Sequence, residues 1–110
     1  MSTLPAETAL RLAARFRTLG DPMRLRLLYA LTGGERRVGD LVESSGGQQA
    51  NVSKHLQLLH QQGLVARRKE GTATLYRIAD PVVFKLCDLV CGSLGLPTLH
   101  PRVRRTAAAR

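Results

Sequence analysis

Cys87 and Cys91 are the two cysteines of this 110-residue chain, and they stand four apart in VFKLCDLVCGSL. Four apart on a helix, two thiols share one face, with about 5–6 Å between their Cβ atoms. Such a pair can chelate one thiophilic ion, with As(III), Cd(II) and Zn(II) as candidates, or it can be oxidised. Two thiolates are half of a tetrahedral site. A third ligand could come from His100 or from a second chain. The plainer alternative is that both cysteines act as small hydrophobes in a helix interface.

A second set of residues carries amides. GGQQANVSKHLQLLHQQGLV, residues 46–65, opens with Gln48, Gln49 and Asn51, followed by Ser53, Lys54, His55 and Gln57. Gln and Asn can pair bidentately with adenine, and Lys can reach guanine or a phosphate. On a solvated helix the same amides would be plain surface. His55 falls at the edge of the apolar face. A half-buried histidine bonded locally or to a phosphate suits it better than a metal ligand. A third set is cationic. Arg67, Arg68, Lys69 and Arg77 flank Gly71, with Glu70 the nearby acid, and can follow a phosphate backbone or enter a minor groove.

These residues need elements to hold them. Leu10, Ala13, Ala14 and Phe16 recur at helical spacing over 7–19, with Gly20 able to end that helix. Asp21-Pro22 reads as an N-cap and first helical residue, followed by an inward stripe of Leu25, Leu28 and Leu31 up to Gly33-Gly34. Residues 38–44 form a short third helix, Gly46-Gly47 a turn, and 48–62 a fourth helix with Val52, Leu56 and Leu59 inward. The period then changes. Val65, Thr74, Tyr76 and Ile78 are β-formers on either side of Gly71, which marks a hairpin. Asp80-Pro81 starts a fifth helix that ends near Leu94. The resulting fold class is mainly α with a β-hairpin, a winged helix-turn-helix in the order four helices, hairpin, helix. Residues 1–95 form the domain, and 96–110 a basic, flexible tail.

The apolar residues of the fifth helix, among them Val83, Phe84, Leu89, Val90 and Leu94, cover more than half its circumference. A surface helix shows a narrower stripe. A second copy of the chain is the natural cover, giving a two-fold homodimer that meets a pseudo-palindromic site in double-stranded DNA.

The formal charge of +9 and pI of about 11.1 point to a polyanionic partner. No apolar run reaches the length of a membrane span, and the N-terminus lacks the pattern of a signal peptide. Two close cysteines make no disulfide framework, so the expected compartment is the cytoplasm. With no Gly-rich phosphate loop and no H-E-x-x-H pattern, an enzyme is not expected.

FRTLGDPMRLRLLYAL (16–31), QQANVSKHLQLLHQQGLV (48–65) and RRKEGTATLYRI (67–78) resemble three signatures of the ArsR/SmtB transcriptional repressors. The resemblance spans roughly residues 6–94. It implies a dimeric winged-helix repressor whose first and last helices form the dimer interface, here through Leu10, Phe16, Val83, Phe84, Cys87, Val90 and Leu94. An inducer bound to such a dimer releases the promoter. Gln49, Asn51, Ser53 and Lys54 match the family's base-contacting positions, His55 its near-constant histidine, and Arg67, Arg68 and Thr72 its wing. Gln48 and Ala50 depart from the pattern, where Ser is commoner, which leaves the operator open. The family's inducer sites do not carry over. GDLVESS (39–45) lacks the third-helix Cys-x-Cys, the fifth helix lacks histidine, and the second helix lacks cysteine. Cys87 and Cys91 remain.

The expected function is thus a homodimeric, sequence-specific DNA-binding repressor released by a thiophilic metal(loid) or by thiol oxidation at Cys87 and Cys91. The alternatives are the same repressor with structural cysteines, a basic winged-helix protein-interaction module, and an RNA-binding winged helix.

Overall fold

The computed structural model describes residues 3–98. The elements are α1 (Ala6–Leu19), α2 (Pro22–Ala30), a 3-10 turn (Leu31–Gly33), β1 (Arg36–Arg37), α3 (Val38–Ser45), α4 (Gln49–Gln61), β2 (Val65–Glu70), β3 (Ala73–Ile78) and α5 (Val82–Ser93). The sheet is antiparallel, with β3 between β1 and β2.

Local chemistry accounts for most of the boundaries. The Asp21 carboxylate accepts from the Arg24 N–H, and Pro22 occupies the first turn, where its missing N–H costs nothing. α3 ends on Gly46 at φ +72°, in the left-handed region. The next residue must also be glycine, for a different reason. A Cβ on Gly47 would lie 2.9 Å from Val52 Cγ2 and 3.2 Å from the Met23 Cε. The turn between α3 and α4 is this tight because the start of α4 packs directly over it. Gly71, at φ +64°, begins the two-residue loop that joins β2 to β3, where a positive φ matches the twist of the strands. At the fifth helix the Asp80 carboxylate accepts from the Val82 N–H at 3.2 Å. Asp80 therefore covers the helix start from one residue before Pro81, which holds the N-cap position itself.

The core is one cluster. Leu27, Leu28 and Leu31 from the second helical region meet Leu41 of α3, Val52, Leu56 and Leu59 of α4, Leu64 just before β2, Val65 and Tyr76 of the sheet, and Val83 and Phe84 of α5. Leu25, expected inward, is half-buried, and Leu27 holds the central place instead. Arg15 crosses from α1 to donate to the Gln62 carbonyl at 2.8 Å and to reach Asp80 at 3.5 Å. That one side chain ties α1 to the end of α4 and the start of α5.

β1 is the element missing from the expected order. It spans two residues, with Arg36 opposite Tyr76 and Arg37 opposite Leu75. It turns the hairpin into a three-stranded sheet and docks the wing beside the start of α3.

Candidate nucleic-acid interface and cysteine pair

The start of α4 is open. Gln48 takes the N-cap position without a side-chain cap bond, the first turn carries no acid, and Gln48, Gln49, Ala50, Asn51 and Lys54 are all exposed. The unpaired N–H groups and positive dipole end of this helix therefore face solvent beside a row of amides, an arrangement that favours an anion. One helical turn on, Ser53 and Gln57 line a shallow groove shared with Val38, Arg67, Arg68, Lys69, Thr74 and Tyr76. The groove is the junction of α4 and the wing. Thr72 sits exposed at the wing tip, and Arg77 is half-buried on β3.

Arg68 has partners within the wing itself. Its Nε and Nη2 donate to the two carboxylate oxygens of Glu35 at 2.9 and 2.7 Å, and Nη2 also reaches Glu70 at 3.1 Å. Glu35, which immediately precedes β1, is a second acid at the wing and lies 33 positions away in sequence. The Arg68 hydrogen bond holds the Glu35 carboxyl below its usual range, against the opposing effect of burial. Arg68 is thus engaged with acids, while Arg67 and Lys69 are exposed. Arg36 and Arg37, adjacent and exposed on β1, add cations to the sheet that were not anticipated. Their doubling just after Gly33-Gly34 is the sequence signal that could have drawn attention to them.

His55 is half-buried on the flank of α4, with Nδ1 3.1 Å from the Arg24 guanidinium.

Cys87 and Cys91 are free, half-buried thiols on α5. Cys87 packs against the core near Tyr29, whose ring meets Phe84 edge-on at 4.9 Å. Burial raises the Cys87 pKa, and a hydrogen bond with Tyr29 works in the opposite direction. Burial, then the neighbouring Cys87, push Tyr29 up to about 12. Among the described residues no group of three or more His, Cys, Asp or Glu is placed to hold a metal ion. Within residues 3–98 the two thiols are not joined by a third His, Cys, Asp or Glu placed to share an ion with them, and His100 lies outside the described residues.

The expected dimer surface divides in two. Leu10 and Phe16 on α1 and Leu89, Val90 and Leu94 toward the end of α5 are exposed, as is Val82 at the start of α5. Val83 and Phe84 are not available to a partner, because at 3% and 4% exposure they already fill the chain's own core. Among the described residues no helix is long and apolar enough to cross a membrane.

Helices packed on one core, with a helix-turn-helix and a β wing among them, define the winged helix-turn-helix class. Comparison with known proteins narrows it. The description "Bacterial regulatory protein, arsR family" matches residues 21–67. The transcriptional regulator CmtR of Mycobacterium bovis is 38% identical over 99 residues, which cover 89% of this chain and 84% of CmtR. A Streptomyces lividans protein described as a "probable mercury resistance operon repressor" is 41% identical over 75 residues, covering 68% of this chain. The match takes in 58% of that repressor's length, and 63% of the length of a further regulator. The solution structure of the homodimeric winged helix-turn-helix DNA-binding domain Mb0332 of M. bovis superimposes with a TM-score of 0.69 at 33% identity, covering 86% of this chain and 91% of that one. The chain belongs to the ArsR family of bacterial transcriptional regulators.

Proposed function

We propose that the protein is a cytoplasmic, homodimeric repressor that binds a pseudo-palindromic operator in double-stranded DNA. The observation that carries this reading is the exposed, acid-free start of α4, with its amides beside a groove lined by Ser53, Gln57, Arg67 and Lys69. Phosphate contacts from the wing and sheet arginines supply affinity, and base contacts from Gln49, Asn51, Ser53 and Lys54 supply sequence preference. Residues 1–95 are the binding and dimerisation domain, and 96–110 a basic extension of it. The homodimeric relative supports two copies meeting through the exposed apolar residues of α1 and α5. Such a dimer sets two reading helices about one DNA turn apart. The test is the double variant Gln49→Ala, Asn51→Ala. Sequence preference should fall by at least about tenfold, given about 1–3 kcal/mol per bidentate base contact. Salt-dependent binding to unrelated DNA should persist. An unchanged preference rejects base reading by α4.

The regulatory half of the proposal is release by a thiophilic ion or by oxidation at Cys87 and Cys91. The mercury-resistance relative favours a soft ion, and the i, i+4 spacing supplies two soft donors on one face. Completion of the site falls to His100 or to a second chain. Because Cys87 contacts the core beside Tyr29 of α2, an ion drawing on both thiols would strain the contact between α5 and the helix that supports α3 and α4. If Cys87→Ser, Cys91→Ser protein is still released from DNA by every ion and oxidant that releases the wild type, the cysteines are packing residues only.

A further inference from the structure

Arg24 stands where three helices meet. Its guanidinium donates from Nε to the Thr18 carbonyl at 2.7 Å and from Nη2 to the Arg17 carbonyl at 3.2 Å, both in the last turn of α1. Its Nη1 lies 3.1 Å from His55 Nδ1 on α4. Its own N–H is held by Asp21 Oδ1 at 3.1 Å, so the backbone that carries the fork is fixed by the cap of α2. A cation against the last turn of α1 meets the negative end of the helix dipole, and it shares the Arg17 carbonyl with the Gly20 N–H, which donates to it at 3.3 Å.

The chemistry of the pair settles one proton. A guanidinium carries five donors, no acceptor, and does not deprotonate in proteins. The imidazole nitrogen that faces it must therefore be the acceptor, and in a neutral ring the proton then resides on Nε2. Without such a partner the two tautomers compete, and the ring can turn its donor either way.

We infer that Arg24 is a positioning residue of the DNA interface: it locks His55 in the Nε2–H tautomer and pins the reading helix to the end of α1. Nε2–H is then the single donor this ring can offer a phosphate oxygen. Through the same fork, the orientation of α4 is tied to the helix whose exposed Leu10 and Phe16 belong to the proposed dimer seam. The inference rests on the DNA-binding reading for its consequence, but its geometry stands without DNA.

The experiment uses the full-length protein and Arg24→Met, which keeps the aliphatic stem and removes every donor. The ring nitrogens of His55 are read by two-bond 1H–15N NMR at a pH where the ring is neutral. The wild type should show the Nε2–H tautomer alone, and folded Arg24→Met a mixture of both. Affinity for the DNA upstream of the protein's own gene, at fixed salt, should fall about 5- to 30-fold in the variant, the factor that corresponds to about 1–2 kcal/mol. A wild-type ring protonated at Nδ1 overturns the inference, and that measurement decides even if Arg24→Met fails to fold. So does a folded Arg24→Met protein with wild-type affinity. A wild type that shows the Nε2–H tautomer yet binds no duplex rejects the DNA-binding reading, and with it the role given to Arg24 in the interface.

Discussion

Glu35 and Arg68 form a two-pronged ion pair across the wing, with N–O distances of 2.9 and 2.7 Å. Arg68 is adjacent in sequence to Arg67 and Lys69, but its guanidinium is already paired with Glu35 and Glu70. It joins the loop before β1 to β2, and the wing's position beside α3 depends on it. The three cations should therefore separate in a salt titration of DNA binding. Arg67→Ala and Lys69→Ala should each reduce the slope of log K against log salt by about 1, one phosphate contact apiece. Arg68→Ala should leave the slope closer to wild type and instead raise hydrogen exchange across β2. Equal slope changes for all three would show that Arg68 leaves Glu35 for phosphate in the complex.

Asp21 should stabilise the fold through its carboxylate. The hydrogen bond from the Arg24 N–H lowers its pKa, aided by the nearby His55 and Arg24 and opposed by burial. A carboxyl depressed in the folded state adds stability that is present above its unfolded pKa and is lost as the pH falls through the folded one. Asp21→Ala should cost about 1 kcal/mol near neutral pH, the usual worth of such a cap. The gap between the two proteins in urea denaturation should close in acid. A gap independent of pH would assign the effect to helix geometry and not to the charge.

Phe16 and Val90 are exposed in the protomer at 53% and 49%. Their replacement should spare the fold and harm assembly. Phe16→Glu or Val90→Glu should weaken the dimer by at least about tenfold, since an unpaired charge would be buried in an apolar seam. Sedimentation should show monomer where the wild type is dimeric, with an unchanged circular dichroism spectrum. A wild-type protein that is monomeric at every concentration would remove the dimer from the proposal.

Cys87 should be a slow thiol. Burial raises its pKa and so lowers its thiolate fraction at neutral pH. Pulse alkylation followed by mass spectrometry should find Cys87 modified more slowly in folded than in urea-unfolded protein, with the rate climbing only in alkali. Tyr29→Phe removes the hydrogen bond that favours the thiolate and should slow Cys87 further. Labelling of folded Cys87 at the unfolded rate would mean that the thiol is open to solvent.

Much of the helical frame was legible in the sequence because its signals are local. Asp21-Pro22, Gly46 and Gly71 each act within a few residues of themselves. What escaped was non-local. β1 is two residues long and pairs with residues 75–76, so it leaves no alternation to read. Glu35 finds Arg68 across 33 positions, and Arg24 finds His55 across 31. The apolar circumference of α5 signalled a covering by the chain's own core, which Val83 and Phe84 enter, but a helical projection cannot say which residues meet which. Val83 and Phe84 near its start turn into the core, and Val90 and Leu94 near its end stay outside.

The most direct measurement is affinity at one fixed salt concentration, with fully reduced protein, for two duplexes of equal length. One carries the DNA upstream of the protein's own gene, and the other a shuffled version of it. A sequence-reading ArsR-family dimer should prefer the first by about a thousandfold or more, with a protected two-fold symmetric footprint. Equal affinity for both duplexes would contradict base reading by α4 and leave only a basic surface that binds polyanions.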